Sequence, residues 1–440
     1  MKNKLMTSLA VLVLSTGGAM ADGKITIITS FPDSMTGPIE AAFEAANPQF
    51  DLEVLNKKTS AGVKFIQETS DNNTSDIFWA SAPDAFEVLK NDDLLADVTI
   101  KSEGIPDMIG AYPLNDPDGK YYGFAGAGYG IMWNERYLKA NGLDPAAEWD
   151  DLAKPEYHGH VGMSAPSRSG TTHLTVETLL QGDGWDQGWA KWKRVAGNFS
   201  TVTERSFGVP DGVNTGNFGL GIVIDFFGFS SKASGFPVDF HYPTITALVP
   251  ANVAVVSNAP NVAGAVAFIE YLLTPEGQEI LLNPAIMRLP INPATYANAP
   301  EGFPNPFEDS TIGATVKFDV AKSGARYNLV NSMFDVMITY RLDDLGETVG
   351  AIHKAEAMHA DSGNEAAKAK IAEAWALVDA NPIDEAQSLD ADFAAIFTKK
   401  RKKVTDEVGE RQAEVEARWD AMVVENYAKA KDLAEEAAGM

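Results

Sequence analysis

Short β-rich runs and helical runs alternate twice along this chain. That alternation restricts it to an α/β architecture assembled from parallel βαβ units. The first block spans about residues 24–97. Its strand candidates are 25–29, 52–55 and 76–80, and its helix candidates are 38–46 and 86–90. Pro38 suits a first helical turn and Pro48 lies past the helix end, while 66–71 reads either way. The second block opens with a strand over 161–164, a loop over 165–169 and a helix from about 171 to 180. Strand-like apolar runs follow at 219–227 and 249–256. An amphipathic helix over 261–273 then places Val262, Val266, Ile269 and Leu273 on one stripe. Thr274 and Pro275 supply a cap and first turn for a helix over 276–282. Between the blocks, a strand candidate at 129–133 is reached through the glycine-rich segment 123–130. No helix follows those glycines, so they read as a tight crossover between lobes rather than a dinucleotide fingerprint.

After Pro306 the pattern becomes helical, over 342–360, 365–380 and 389–438. In the last run Phe393, Phe397, Val404, Val408, Val415, Trp419, Met422 and Leu433 form a stripe that must be buried against the body, the other helices or a second copy. Gly409 interrupts a coiled-coil seam, which favours packing on the body. The basic run 399–403 reads as a solvated helix face.

Residues 1–21 read as a secretory signal. Lys2 and Lys4 charge its start, 5–14 is almost entirely apolar, and Ala19-Met20-Ala21 is a small-x-small cleavage pattern. An apolar core of about ten residues is too short to span a bilayer, which takes roughly 20. The chain is therefore expected outside the cytoplasm, cleaved after Ala21. At just under 420 residues the remainder exceeds one hydrophobic core. Without cysteine it has neither disulfides nor thiolate metal ligands. The formal net charge is −26, and loss of Lys2 and Lys4 with the leader takes it to −28. Such a field excludes nucleic acid and anionic membranes as partners, and an anionic ligand needs donors arranged locally.

Ser167, Arg168, Ser169, Gly170, Thr171, Thr172 and His173 sit where a strand ends and a helix begins. First-turn N–H groups lack intrahelical partners, and with the helix dipole they favour an anion. Ser169 and Thr171 add hydroxyl donors, Gly170 admits close backbone approach, and Arg168 offers a bidentate clamp. An ordinary Ser/Thr cap with nothing bound fits the same residue types. Thr29-Ser30 and Ser81-Ala82-Pro83 are two further corners of this kind, at strand carboxyl ends where open sheets collect ligands. Glu204, Arg205 and Ser206 form a fourth group with Asp225. The Asp225 carboxylate lies inside the apolar run 220–229 and needs a partner there, either a ligand or Arg205 or Lys232. No nucleophile elbow, Walker loop or His-Glu-x-x-His motif is present, and His158 with His160 lacks a third metal ligand.

Several segments together resemble the type 2 periplasmic substrate-binding proteins of bacterial ABC importers. They are Asp76-Ile77-Phe78-Trp79-Ala80-Ser81, Gly130-Ile131-Met132-Trp133-Asn134, Trp149-Asp150-Asp151-Leu152, Pro155-Glu156-Tyr157-His158-Gly159 and Thr274-Pro275-Glu276-Gly277-Gln278. Residues 168–177, Phe207-Gly208-Val209-Pro210 and Val223-Ile224-Asp225-Phe226-Phe227 look like the sugar-phosphate and phosphoglycerate branch. Ferric binders of the same superfamily carry adjacent tyrosines where this chain has Phe226-Phe227.

The resemblance implies an α/β, two-lobed type 2 fold with one lobe from 22–128 and 245–306 and another from 129–244. Residues 307–440 would form a mostly helical extension on the body. It further implies a cofactor-free binder of a small anionic organophosphate that closes over its ligand and docks on an inner-membrane permease. The chain would be a periplasmic monomer, with self-association through the extension as the alternative. Ser169, Gly170, Thr171, Thr172 and Arg168 would take the anionic end, Ser30 and Ser81 would contribute from the first lobe, and Glu204 and Asp225 would select at the other end.

Overall fold

The computed structural model describes residues 23–109, 112–309, 312–313, 315–397 and 406–440. The expected leader, residues 1–21, and the run 399–403 with Val404 lie outside them.

Ile25, Ile27 and Ile28 are all fully buried, so the first strand has apolar side chains on both faces and can lie only inside a covered parallel sheet. That sheet joins β1 (Gly23–Thr29), β2 (Phe50–Asn56), β3 (Ile77–Ala80), β6 (Tyr122–Ala127), β12 (Val249–Val255) and β13 (Leu289–Pro290) in the order β13-β6-β12-β3-β1-β2. A small hairpin, β4 (Met108–Ile109) with β5 (Tyr112–Pro113), lies apart. The second sheet holds β7 (Tyr129–Asn134), β8 (Val161–Ser164), β9 (Phe199–Thr203), β10 (Leu220–Ile224) and β11 (Val238–His241) in the order β11-β7-β10-β8-β9. In each sheet three strands run parallel, β2-β1-β3 and β9-β8-β10, and the next strand is antiparallel. That antiparallel strand has arrived from the other sheet: β7 directly after β6 through Gly128, and β12 after β11 through 242–248. Two connections therefore join two similar α/β lobes.

Several local expectations change. The first helix is Asp33–Ala46, so Pro38 lies inside it and not in its first turn. The ambiguous 66–71 belongs to a helix that begins earlier, Thr59–Thr69, and ends in a 3₁₀ turn. The apolar run 219–227 is strand only to Ile224, and Asp225 opens the helix Asp225–Ala233. Apolar residues in sequence satisfy a buried strand and a buried helix equally, so the boundary was invisible. The final helical run is not continuous. Short helical turns at Ala391–Ala394 are followed by Glu410–Ala438, with Gly409 at its N-cap.

Helix Glu410–Ala438 buries Val415, Trp419, Val423, Tyr427, Ala430, Ala434 and Ala437 against the helices Leu342–His359 and Glu365–Asp379. Met422 and Leu433 sit half-buried beside that face, and Phe397 stacks on Trp419 at 5.2 Å and 14°. This core is continuous with that of the second lobe: Val161, Trp189 and Trp192 share one cluster with Phe334, Val349 and Val415. A small-residue opening makes the contact possible. A side chain at Gly197 would meet Val349 Cγ2 at 2.3 Å. The extension also reaches the first lobe. Its helix Val320–Ala325 packs on Pro83–Asn91, where the Ser323 hydroxyl donates to Asp84 at 3.0 Å and contacts His173 Nε2 at 3.1 Å. No helix among the described residues is long and apolar enough to cross a membrane.

Candidate ligand-binding site

The carboxyl ends of β1, β8, β9 and β10 face one another across the junction of the lobes, and their loops line a narrow cleft. Ser30 and Phe31 follow β1. Lys58 and Thr59 start the helix Thr59–Thr69. Arg168, Ser169 and Thr171 follow β8, Arg205 follows β9, and Phe226 with Phe227 follows β10.

The lobes are in contact here. Lys58 pairs with Glu204 at 2.6 Å, and Arg168 reaches the other Glu204 oxygen at 3.0 Å. Arg205 donates to Asn56 Oδ1 at 2.8 Å, and the Ser60 hydroxyl to the Ser167 carbonyl at 3.1 Å. The Gly170 N–H donates to Thr59 Oγ1 at 3.3 Å. Gly170 is required by this approach: a Cβ would lie 2.6 Å from Ala82 Cβ and 2.8 Å from Thr59 Cγ2. Three cations, Lys58, Arg168 and Arg205, thus gather at one end of the cleft in a chain of net charge −26. Burial holds Arg205 below the usual guanidinium range.

The helix Gly170–Gly182 begins with Ser169 as its cap, whose hydroxyl accepts from the Thr172 N–H at 3.2 Å. With the Gly170 N–H on Thr59, Thr171 keeps the first-turn N–H that has no hydrogen-bond partner among the described residues, and its side chain lines the cleft. The Thr172 hydroxyl turns back to Ser164.

Of the residues singled out from sequence, Ser30, Arg168, Ser169, Thr171 and Arg205 line the cleft. Ser167 lines an adjoining groove, and Glu204 reaches the cleft cations from a side chain that is 70% exposed. Ser81 is buried and accepts from both terminal nitrogens of Arg288. Asp225 is fully buried at the crossover. It accepts from the Gly128 and Phe226 N–H groups, each at 2.7 Å, and from the Tyr242 hydroxyl at 2.8 Å. Neither expected basic partner pairs with it: Lys232 bonds Asp239 at 2.8 Å and Arg205 bonds Asn56. Burial pushes the Asp225 carboxyl up to about 6 against the pull of those donors and of Arg288. Sequence reasoning missed Lys58 and Thr59, because their helix starts seven residues before the segment that looked ambiguous. It also missed Arg288, which nothing local marks.

The chain matches the family described as bacterial extracellular solute-binding protein over residues 72–308. It is 31% identical over 382 residues to the phosphoglycerate transport regulatory protein PgtC of Salmonella typhimurium, covering 86% of this chain and 90% of that protein. Among solved structures, the periplasmic binding protein AfuA from Actinobacillus pleuropneumoniae, with fructose-6-phosphate bound, superposes with a TM-score of 0.62 at 20% identity. The match covers 71% of this chain and 98% of that one. The apo ferric ion-binding protein A of Pasteurella haemolytica gives 0.55 at 15% identity over 71% and 96%. These likenesses show the type 2 periplasmic binding fold.

Proposed function

Because the chain belongs to the bacterial extracellular solute-binding protein family, we propose that it is the periplasmic receptor of an ABC importer for a small organophosphate. The observation that carries this reading is the meeting of Lys58, Arg168 and Arg205 with the Thr171 end of the helix Gly170–Gly182 between the two lobes. In an acidic protein such a cluster favours an anion, and Glu204 is the carboxylate that meets Lys58 and Arg168 here. The names of relatives agree in chemistry, since phosphoglycerate and fructose-6-phosphate both carry a phosphate. Two lobes joined by two connections would part to admit the ligand and close over it, and the closed form would be the one presented to an inner-membrane permease.

A thermal-shift screen tests this. A phosphate ester at 100 times its dissociation constant adds about 2.7 kcal/mol of stability. Arg168→Ala and Thr171→Ala are each expected to weaken its binding by roughly 10-fold or more, because each removes a hydrogen bond to a charged group. A shift with Fe(III) or a polyamine, and none with any organophosphate, would sink the reading.

A further inference from the structure

Arg288 is fully buried, and no described carboxylate lies within ion-pairing distance of it. Its two terminal nitrogens donate to the neutral Ser81 hydroxyl, and its Nε–H is buried without an acceptor. The Tyr129 hydroxyl, in the same electrostatic neighbourhood, is also buried without a partner. Asp225, whose charge acts on Arg288, already accepts from Gly128, Phe226 and Tyr242. A buried cation with no anion is costly, and a fold built for stability alone would place an acid beside it or an apolar residue in its stead.

Its position explains the arrangement. The guanidinium lies 4.9 Å from the Phe31 ring and 4.5 Å from the Phe226 ring. Both rings line the cleft, one from each lobe. Arg288 and Phe31 belong to the first lobe and Phe226 to the second. Parting of the lobes would carry the Phe226 ring away and leave the guanidinium beside the first-lobe rings of Phe31 and Phe124. Ser81 occupies the terminal-nitrogen edge and leaves the Nε edge, which suits a planar two-oxygen acceptor.

We propose that Arg288 is a second ligand anchor, binding a carboxylate at the end of the ligand opposite its phosphate. A single guanidinium among aromatic rings matches a singly charged carboxylate, whereas the cluster of Lys58, Arg168 and Arg205 matches a phosphate. Resting on the organophosphate reading, this narrows the ligand to a phosphorylated carboxylic acid.

Calorimetric titration with 3-phosphoglycerate and with glycerol 3-phosphate, which lacks the carboxylate, tests the assignment. The unsubstituted protein should prefer 3-phosphoglycerate. Arg288→Gln should weaken 3-phosphoglycerate by about 10- to 100-fold and glycerol 3-phosphate by less than about threefold. Arg288→Lys keeps the charge without the fork and should fall between. Unliganded Arg288→Gln should melt no lower than the parent, since an unpaired buried cation has been removed, whereas a merely structural arginine would give a lower melting temperature and unchanged selectivity. Equal loss for both probes, unchanged 3-phosphoglycerate binding, or no preference in the parent overturns the assignment of Arg288 alone. Failure of the parent to bind either probe overturns this proposal, and the organophosphate reading falls with it only when no other phosphate ester in the thermal-shift screen binds.

Discussion

Glu177→Ala is expected to lower the unfolding free energy by about 3–5 kcal/mol, the usual cost of breaking a buried ion pair, since Arg326 keeps only a longer 3.4 Å contact to Glu385. The Glu177 carboxylate and the Arg326 guanidinium are both fully buried and meet at 2.9 Å through two parallel hydrogen bonds. Arg326 also lies 4.7 Å above the Trp185 ring and donates to Ser388 at 3.2 Å. Glu177 sits on the helix of the second lobe that starts at the cleft, and Arg326 opens the extension helix Tyr327–Met337. Their pair is thus a seam between lobe and extension. Burial pushes the Glu177 carboxyl up, but the Arg326 charge and hydrogen bonds outweigh it, and the net position is below the usual range. A lowered carboxyl contributes stability above its unfolded value and loses it as pH falls through the folded one, so the contribution disappears on strong acidification. Glu177→Met combined with Arg326→Leu should regain most of the loss, because no charge is then left in the core. Tryptophan fluorescence in urea reads this well. Seven of the eight tryptophans lie in or against this shared core, with only Trp79 in the first lobe. A cost below about 1 kcal/mol would mean that the seam is open to water, since only exposed pairs are that weak.

The second large effect concerns closure. Gly170→Val should leave the lobes folded and weaken ligand binding by about 5- to 150-fold, the equivalent of the 1–3 kcal/mol that overpacking costs. The space for a side chain at Gly170 is taken by Ala82 and Thr59 of the first lobe, at 2.6 and 2.8 Å. Those atoms belong to the other lobe, so the strain falls on the closed form and is relieved by opening. Small-angle scattering should show a larger radius of gyration for the variant with ligand than for the parent with ligand. Full affinity in Gly170→Val would show that binding does not require this contact.

Much of this site was legible in the sequence, for a physical reason. Ser30, Ser169 and Thr171 stand at strand-to-helix corners, and corners can be read from where a β-rich run stops and a cap residue appears, whereas Arg205 was singled out with Glu204 and Ser206 without the strand Phe199–Thr203 before it. The cap at Thr274, accepting from the Gly277 N–H at 3.0 Å, was visible on the same ground. What could not be read is what other segments bring. Lys58 joins Arg168 and Arg205 only because β2 of one lobe ends opposite β8 and β9 of the other. Arg288 looks like any arginine before a short strand, and its surroundings come from residues 31, 81, 124 and 226. Asp225 misled because its apolar neighbours suit a strand as well as the helix start it occupies. The extension's long stripe was read correctly in its Val415 and Trp419 portion, and Gly409, noted as a break in the seam, proves to be the N-cap of a new helix.

A crystal structure of the complex with the organophosphate that gives the largest thermal shift tests the central claim most directly. The account predicts phosphate oxygens within hydrogen-bonding distance of the Thr171 N–H and hydroxyl and of at least two of Lys58, Arg168 and Arg205, with the lobes closed over them. A ligand seated elsewhere, or one whose phosphate points to solvent away from these groups, would contradict it.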